Sequence, residues 1–165
     1  MMHTTTVQRR FEVSANRVWA AFDDFGGIHN FHPMVEASPL TGGESRGLGC
    51  ERECHMYGGG VVKERITHYE PGRRMTVNII DAGPFPLRQA AADIEVVPKG
   101  PHASLVTFTM AFEPKFGALG WLMAKLIMVR QFHGLVGQIL DGLATHLDTG
   151  QRIGRKGIPV PVQVS

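Results

Sequence analysis

Residues 116–147 read FGALGWLMAKLIMVRQFHGLVGQILDGLATHL, and their apolar positions decide the architecture. Leu119, Leu122, Met123, Leu126, Ile127, Phe132, Leu135, Val136, Ile139, Leu140, Leu143 and Leu147 recur at intervals of three and four, with Lys125, Arg130, Gln138 and Asp141 mostly between them. That spacing predicts one long amphipathic helix. At about 1.5 Å per residue it spans about 48 Å, so it needs a broad surface to lie across. Gly134, Gly137 and Gly142 each cost about 1 kcal/mol against alanine in a helix, and are expected to mark a kink or a close backbone approach.

The preceding chain supplies the surface. Thr4 to Val13 reads as a strand with Val7, Phe11 and Val13 on one face, and Ser14 is placed to cap a short helix carrying Val18, Trp19 and Phe22. Gly26 and Gly27 interrupt it, and a second helical turn follows through Asn30 before Pro33. From Met34 the glycine and proline punctuation is that of an antiparallel meander, with turns at Gly42 to Gly47, Gly58 to Gly60, Pro71-Gly72 and Lys99 to Pro101. The strands between them are Val35 to Leu40, Gly49 to Met56, Val61 to Tyr69, Arg74 to Ala82, Leu87 to Val97 and Ala103 to Phe112, which makes seven with the first. We therefore expect a single α+β domain over residues 1–150 and an extended or flexible tail over 151–165.

Composition narrows the function. The 165 residues are 43% hydrophobic, enough for one real core, and a net charge of +2 with scattered basic residues does not describe a nucleic-acid groove. The N-terminus has no apolar segment of the secretory kind, and the most apolar window, Ala118 to Val129, contains Lys125 and is too short to span a bilayer. Cys50 and Cys54 on one strand stand about 13 Å apart, beyond the reach of a disulfide. Two reduced thiols point to the cytoplasm.

The element order resembles the helix-grip fold of the START-like, polyketide-cyclase and birch-pollen-allergen (SRPBCC) superfamily. Val18-Trp19, Asp24-Phe25-Gly26-Gly27 and Phe31-His32-Pro33 are similar to the VW…DF…WHP run of bacterial members, with Phe31 in place of tryptophan. Gly49-Cys50-Glu51-Arg52, Glu64-Arg65-Ile66 and Arg73-Arg74 resemble a run shared with the plant abscisic acid receptors. The resemblance implies a seven-stranded curved antiparallel sheet wrapped around the C-terminal helix, with two short helices after strand one. Pro33 stands near the point where those receptors carry a hormone-binding lysine, and their gate and latch motifs are replaced by Met56 to Gly60 and Phe85-Pro86-Leu87. Hormone binding is accordingly not expected.

A curved sheet gripping one helix leaves an internal space suited to a small apolar molecule. Strand alternation puts Val62, Glu64, Ile66 and His68 on the inward face of one strand, and Cys50, Arg52, Cys54 and Met56 on that of its neighbour. Val106, Phe108, Met110 and Phe112 form a third inward face, with Phe132, Leu135 and Ile139 of the helix opposite. The expected ligand-binding residues are Phe31, Arg52, Glu64, Asn78, Phe108, Met110, Phe132, Leu135 and Ile139. A buried charge needs a partner, so Arg52 and Glu64 read either as a polar anchor for a ligand or as a salt bridge joining two strands.

Three functions remain open. The first is binding of an apolar molecule that carries a polar group. The second is cyclase or dehydratase chemistry as in members of the superfamily, with Glu64 accepting a proton and Arg52 stabilising an enolate, and with Tyr57, Asn78 and Arg88 as further acid–base candidates. The third is a protein-interaction or quinone-carrier module, for which the alternating Ile158, Val160, Val162 and Val164 would suit a partner's sheet edge, although Pro159 and Pro161 lack the amide donors of a regular ladder. No phosphate-binding loop and no nucleophile elbow is present. His29 and His32 are three apart but lack a completing carboxylate or thiol, so neither metal nor cofactor is expected, and the chain is expected to be a monomer or homodimer.

Overall fold

A computed structural model describes residues 2–161. Strand β1 (His3–Phe11) leads to helix α1 (Ala15–Asp23) and a 3₁₀ turn (Phe25–Asn30). The expected cap is in place: the Ser14 hydroxyl accepts the Arg17 amide at 3.4 Å. Strands β2 (Val35–Ala37), β3 (Leu40–Thr41), β4 (Glu51–Met56), β5 (Val61–Glu70), β6 (Arg74–Asp81), β7 (Leu87–Pro98) and β8 (Ser104–Pro114) follow. They form one antiparallel sheet in the order β1-β8-β7-β6-β5-β4-β2, with β3 also on β4.

Among the described residues the strand count is eight rather than seven. The segment expected as one strand over Val35 to Leu40 breaks at Ser38-Pro39, where the buried Ser38 hydroxyl donates to the Gly26 carbonyl at 2.7 Å. Proline supplies no ladder donor, so the backbone leaves the sheet there and rejoins it as β3. A second difference lies in β5, where the pairing with β6 shifts register between Ile66 and His68. This bulge turns His68 out to solvent, off the inward face that strict alternation gives it, and brings Tyr69 inward. The Tyr69 hydroxyl donates to Asp23 at 2.6 Å, tying β5 to α1.

The C-terminal helix crosses the sheet as expected, but in three parts: α2 (Gly117–Met123), a π-helical turn (Ala124–Met128) and α3 (Val129–Thr149). The buried side of α3 is Val136, Ile139, Leu140 and Leu143, the spacing of one helical face. Of the three glycines expected to mark irregularities, only Gly142 makes a close approach: a Cβ there would stand 2.3 Å from the Phe31 carbonyl oxygen. Gly134 and Gly137 have no neighbour within 4 Å of that position, and the irregularity falls at the π turn instead.

Residues 151–161 are tied to the 3₁₀ turn. Ile153 is in the core, its amide donates to Asn30 at 2.8 Å, and the Val160 amide returns to the Arg152 carbonyl at 2.7 Å. The segment is thus a small loop pinned on the 3₁₀ turn. Ile158 and Val160 are exposed, and Val162 and Val164 lie outside the described residues. Cys50 and Cys54 are free and buried. No described helix is long and apolar enough to cross a membrane.

Candidate functional site

Between the concave face of the sheet and α3 lies a cavity of about 110 Å³. It is lined by apolar side chains except for His32, Arg52, Cys54 and Glu64. An apolar cavity of about 150 Å³ accommodates one benzene, so this space is about one ring in size.

The polar groups form one cluster. Arg52 on β4 and Glu64 on β5 are direct cross-strand partners. Arg52 Nε and Nη2 both lie 2.6 Å from the same carboxylate oxygen, Glu64 Oε2. Arg52 Nη1 donates to the Phe25 carbonyl at 2.8 Å, and the guanidinium carbon sits 3.8 Å from the centre of the Phe25 ring. The arginine is therefore held from three sides, by β5, by a backbone carbonyl of the 3₁₀ turn and by an aromatic face. Burial works against its charge, but Glu64 prevails and the guanidinium pKa is raised.

The Cys54 thiol lies 3.5 Å from the same Glu64 oxygen. Burial and, after it, the carboxylate push its pKa up to about 12. It remains a neutral thiol and is no nucleophile. All these bonds converge on Oε2, and Glu64 Oε1 has no hydrogen-bond partner among the described residues.

His32 completes the cluster. It follows the 3₁₀ turn, and its Nδ1 accepts the Met34 amide at 3.1 Å, which leaves the neutral ring's proton on Nε2. Burial lowers its pKa to about 4, against the pull of the Glu64 charge and with help from Arg52. The native state thus excludes a proton that the unfolded chain binds below its ordinary pKa of 6.5. Stability from this group is present above about pH 6.5 and falls as pH drops toward 4, with a slope of at most about 1.4 kcal/mol per pH unit. Because the side chain is partly exposed, we expect a loss of about 2 kcal/mol across that window. Urea melts at successive pH values check it: His32→Gln should flatten the dependence, and an unchanged slope would remove His32 as its source.

Of the residues expected around the cavity, the structure brings together Arg52, Glu64, Phe108, Met110, Phe132, Leu135 and Ile139. Phe31 is not a lining residue: it is 1% exposed and packed edge-on against Phe22 at 5.7 Å. Asn78 lies on the outer face, where it accepts the Thr67 hydroxyl at 3.1 Å. The burial of Met75 and Val77 carries the signal that excludes it, since Asn78 follows Val77 and must point the other way. Tyr57 and Arg88 are also outside the lining, and His133 is exposed with its Nδ1 on Thr5 at 2.9 Å.

His32 is the polar residue the sequence reading left out of the site. It lies in a turn beside a proline, where neither a period of two nor of 3.6 assigns a direction. His29, its expected companion, is bound to Ser38 at 2.7 Å instead. No cluster of three potential metal ligands occurs among the described residues.

The turns that follow Met56 and flank Phe85, both lining residues, meet each other. A Cβ on Gly60 would stand 2.7 Å from Pro84 Cγ, and one on Gly83 would stand 2.2 Å from the Val61 carbonyl oxygen. Gly60 and Gly83 both have positive φ, so these contacts depend on glycine.

The sheet wrapped on a long C-terminal helix, with a cavity between them, defines a helix-grip protein. Residues 2–148 match the family described as polyketide cyclase / dehydrase and lipid transport, and the chain belongs to it. No curated protein matches the chain. Among solved structures, it is similar to the protein XoxI from Bacillus cereus, at 23% identity and a TM-score of 0.73, over 88% of this chain and 96% of that one. It is similar to a protein from Thermobifida fusca at 26% identity and a TM-score of 0.67, over 87% and 91%. Norcoclaurine synthase from Thalictrum flavum, solved with dopamine and hydroxybenzaldehyde, shares the fold at 15% identity and a TM-score of 0.67, over 89% and 87%.

Proposed function

We propose that the cavity binds an apolar small molecule through one polar group that donates a hydrogen bond, such as a hydroxyl. The observation carrying this reading is Glu64 Oε1, an acceptor without a partner among the described residues, set in an otherwise apolar lining. A hydroxyl donates to that oxygen and can accept from His32 Nε2–H, satisfying both. A ligand carboxylate meets the Glu64 charge and is disfavoured. A quinone, which offers acceptors only, engages His32 and leaves Oε1 unpaired. Molecules larger than one ring require the lining to yield, and Met34, Met56 and Met110 are the side chains suited to that.

The acid–base reading survives in altered form. Arg52 is committed to Glu64 and to the Phe25 carbonyl, so it is poorly placed to receive a developing enolate oxygen. Glu64 as proton acceptor with His32 as the neutral donor is the arrangement that would serve a cyclase or dehydratase.

The test uses 4-ethylphenol and 4-ethylbenzoate as probes, followed by NMR titration. We expect the phenol to bind and the benzoate to bind at least about tenfold more weakly, with Glu64→Gln reducing phenol affinity by about tenfold, the scale of one hydrogen bond to a charged group. Equal or tighter binding of the benzoate would overturn the reading. Unchanged phenol affinity in Glu64→Gln would place the polar contact elsewhere.

A further inference from the structure

The helix that grips the sheet is only half used by the core. Phe116, Leu119, Leu122, Met123, Leu126 and Ile127 are all exposed, Leu119 and Leu126 by 71% and 67%. Six large apolar side chains on one stretch exceed what a monomeric surface ordinarily carries without a partner. No ligand in the cavity can cover them, because the lining contributed by the helix begins at Phe132.

Charge indicates what does. From Pro114 to Leu140 the chain contains no Asp or Glu, while Lys115, Lys125 and Arg130 are all present and exposed. The Lys125 ammonium lies 5.4 Å from the centre of the Trp121 ring, and Trp121 is itself 37% exposed. Aromatic and leucine side chains on one exposed helical stretch, beside lysines with long apolar stems, are the composition of a segment that lies in a lipid–water interface. The face also has continuity with the interior: Met128, Val129, Phe132 and Leu135 carry it from the exposed segment onto the core. A surface covering α2 and the π turn would therefore abut the cavity end of α3.

We propose that the segment from Phe116 to Arg130 docks the protein on an anionic bilayer, with Phe116, Leu119, Leu122 and Leu126 entering the interface and Lys115, Lys125 and Arg130 meeting lipid phosphates. The proposal goes beyond the cavity reading and does not depend on it.

The experiment incubates the full chain with vesicles of phosphatidylcholine alone, or with 30% phosphatidylglycerol, and reads co-sedimentation together with tryptophan emission. Trp19 is buried, so a blue shift on binding reports Trp121. We expect binding to the anionic vesicles with a blue shift, weakening as salt is raised. Leu119→Glu/Leu126→Glu should reduce partitioning by more than tenfold, and Lys115→Glu/Lys125→Glu should abolish the preference for anionic lipid. All four side chains are exposed, and unchanged thermal melts and 4-ethylphenol titrations on the same samples establish that the variants fold and separate this result from the fate of the cavity reading. Absence of co-sedimentation, or binding indifferent to Leu119→Glu/Leu126→Glu, overturns the proposal. So does a concentration-dependent dimer that the leucine variant converts to monomer, which would assign the face to a second copy of the chain.

Discussion

Arg52→Ala should lower the unfolding free energy by about 3–5 kcal/mol, the cost of leaving a buried charge without its partner. Three losses combine. Glu64 is left in a largely apolar cavity without its partner, the Phe25 carbonyl loses a donor at 2.8 Å, and the face of the Phe25 ring loses the guanidinium at 3.8 Å. The intact pair need not be favourable by this amount, since removing both charges also removes both desolvation costs. Arg52→Met/Glu64→Leu should therefore recover most of the stability while losing phenol affinity. Urea denaturation of the two single variants and the double gives the cycle. An Arg52→Ala cost below about 1 kcal/mol would mean that the site is well hydrated and that the anchor reading starts from the wrong dielectric.

Gly142→Ala should cost about 3 kcal/mol or more, although alanine is the better helix former by about 1 kcal/mol. The obstacle is the carbonyl oxygen of Phe31, 2.3 Å from the new Cβ, and backbone in a packed turn cannot swing aside like a side-chain tip. Gly134→Ala is the matched control, because nothing lies within 4 Å of its added carbon. It should be neutral or stabilising, and thermal melts of the pair separate steric approach from propensity. Equal effects at both positions would show that α3 can lift off the 3₁₀ turn without penalty.

The sequence made the sheet and the inner face of β8 legible because Val106, Phe108, Met110 and Phe112 alternate without interruption and one face is buried. The Arg52–Glu64 pair was legible for the same reason. Where alternation fails physically, the reading failed with it: the bulge after Ile66 reversed His68, and Ser38-Pro39 divided a strand. Asn78 is different, since its neighbours contained the contrary signal. Phe31, at the right height for the cavity, packs into the core against Phe22 instead of lining it. The division of the long helix was hidden because apolar residues are so dense between 116 and 129 that a turn with one extra residue keeps an apolar stripe as readily as a regular α-helix does.

That π turn gives the helix a phase. An uninterrupted α-helix advances about 100° per residue, so inserting or deleting one residue anywhere in Ala124–Met128 acts as a rotation of α2 about its own axis by about that angle while α3 stays seated on the core. Leu119 and Leu122 would be carried round together, away from the side on which they now project, with their own chemistry unchanged. A one-codon deletion in this segment is thus a dial on orientation, capable of uncoupling the outer face from the cavity while leaving each of them chemically intact.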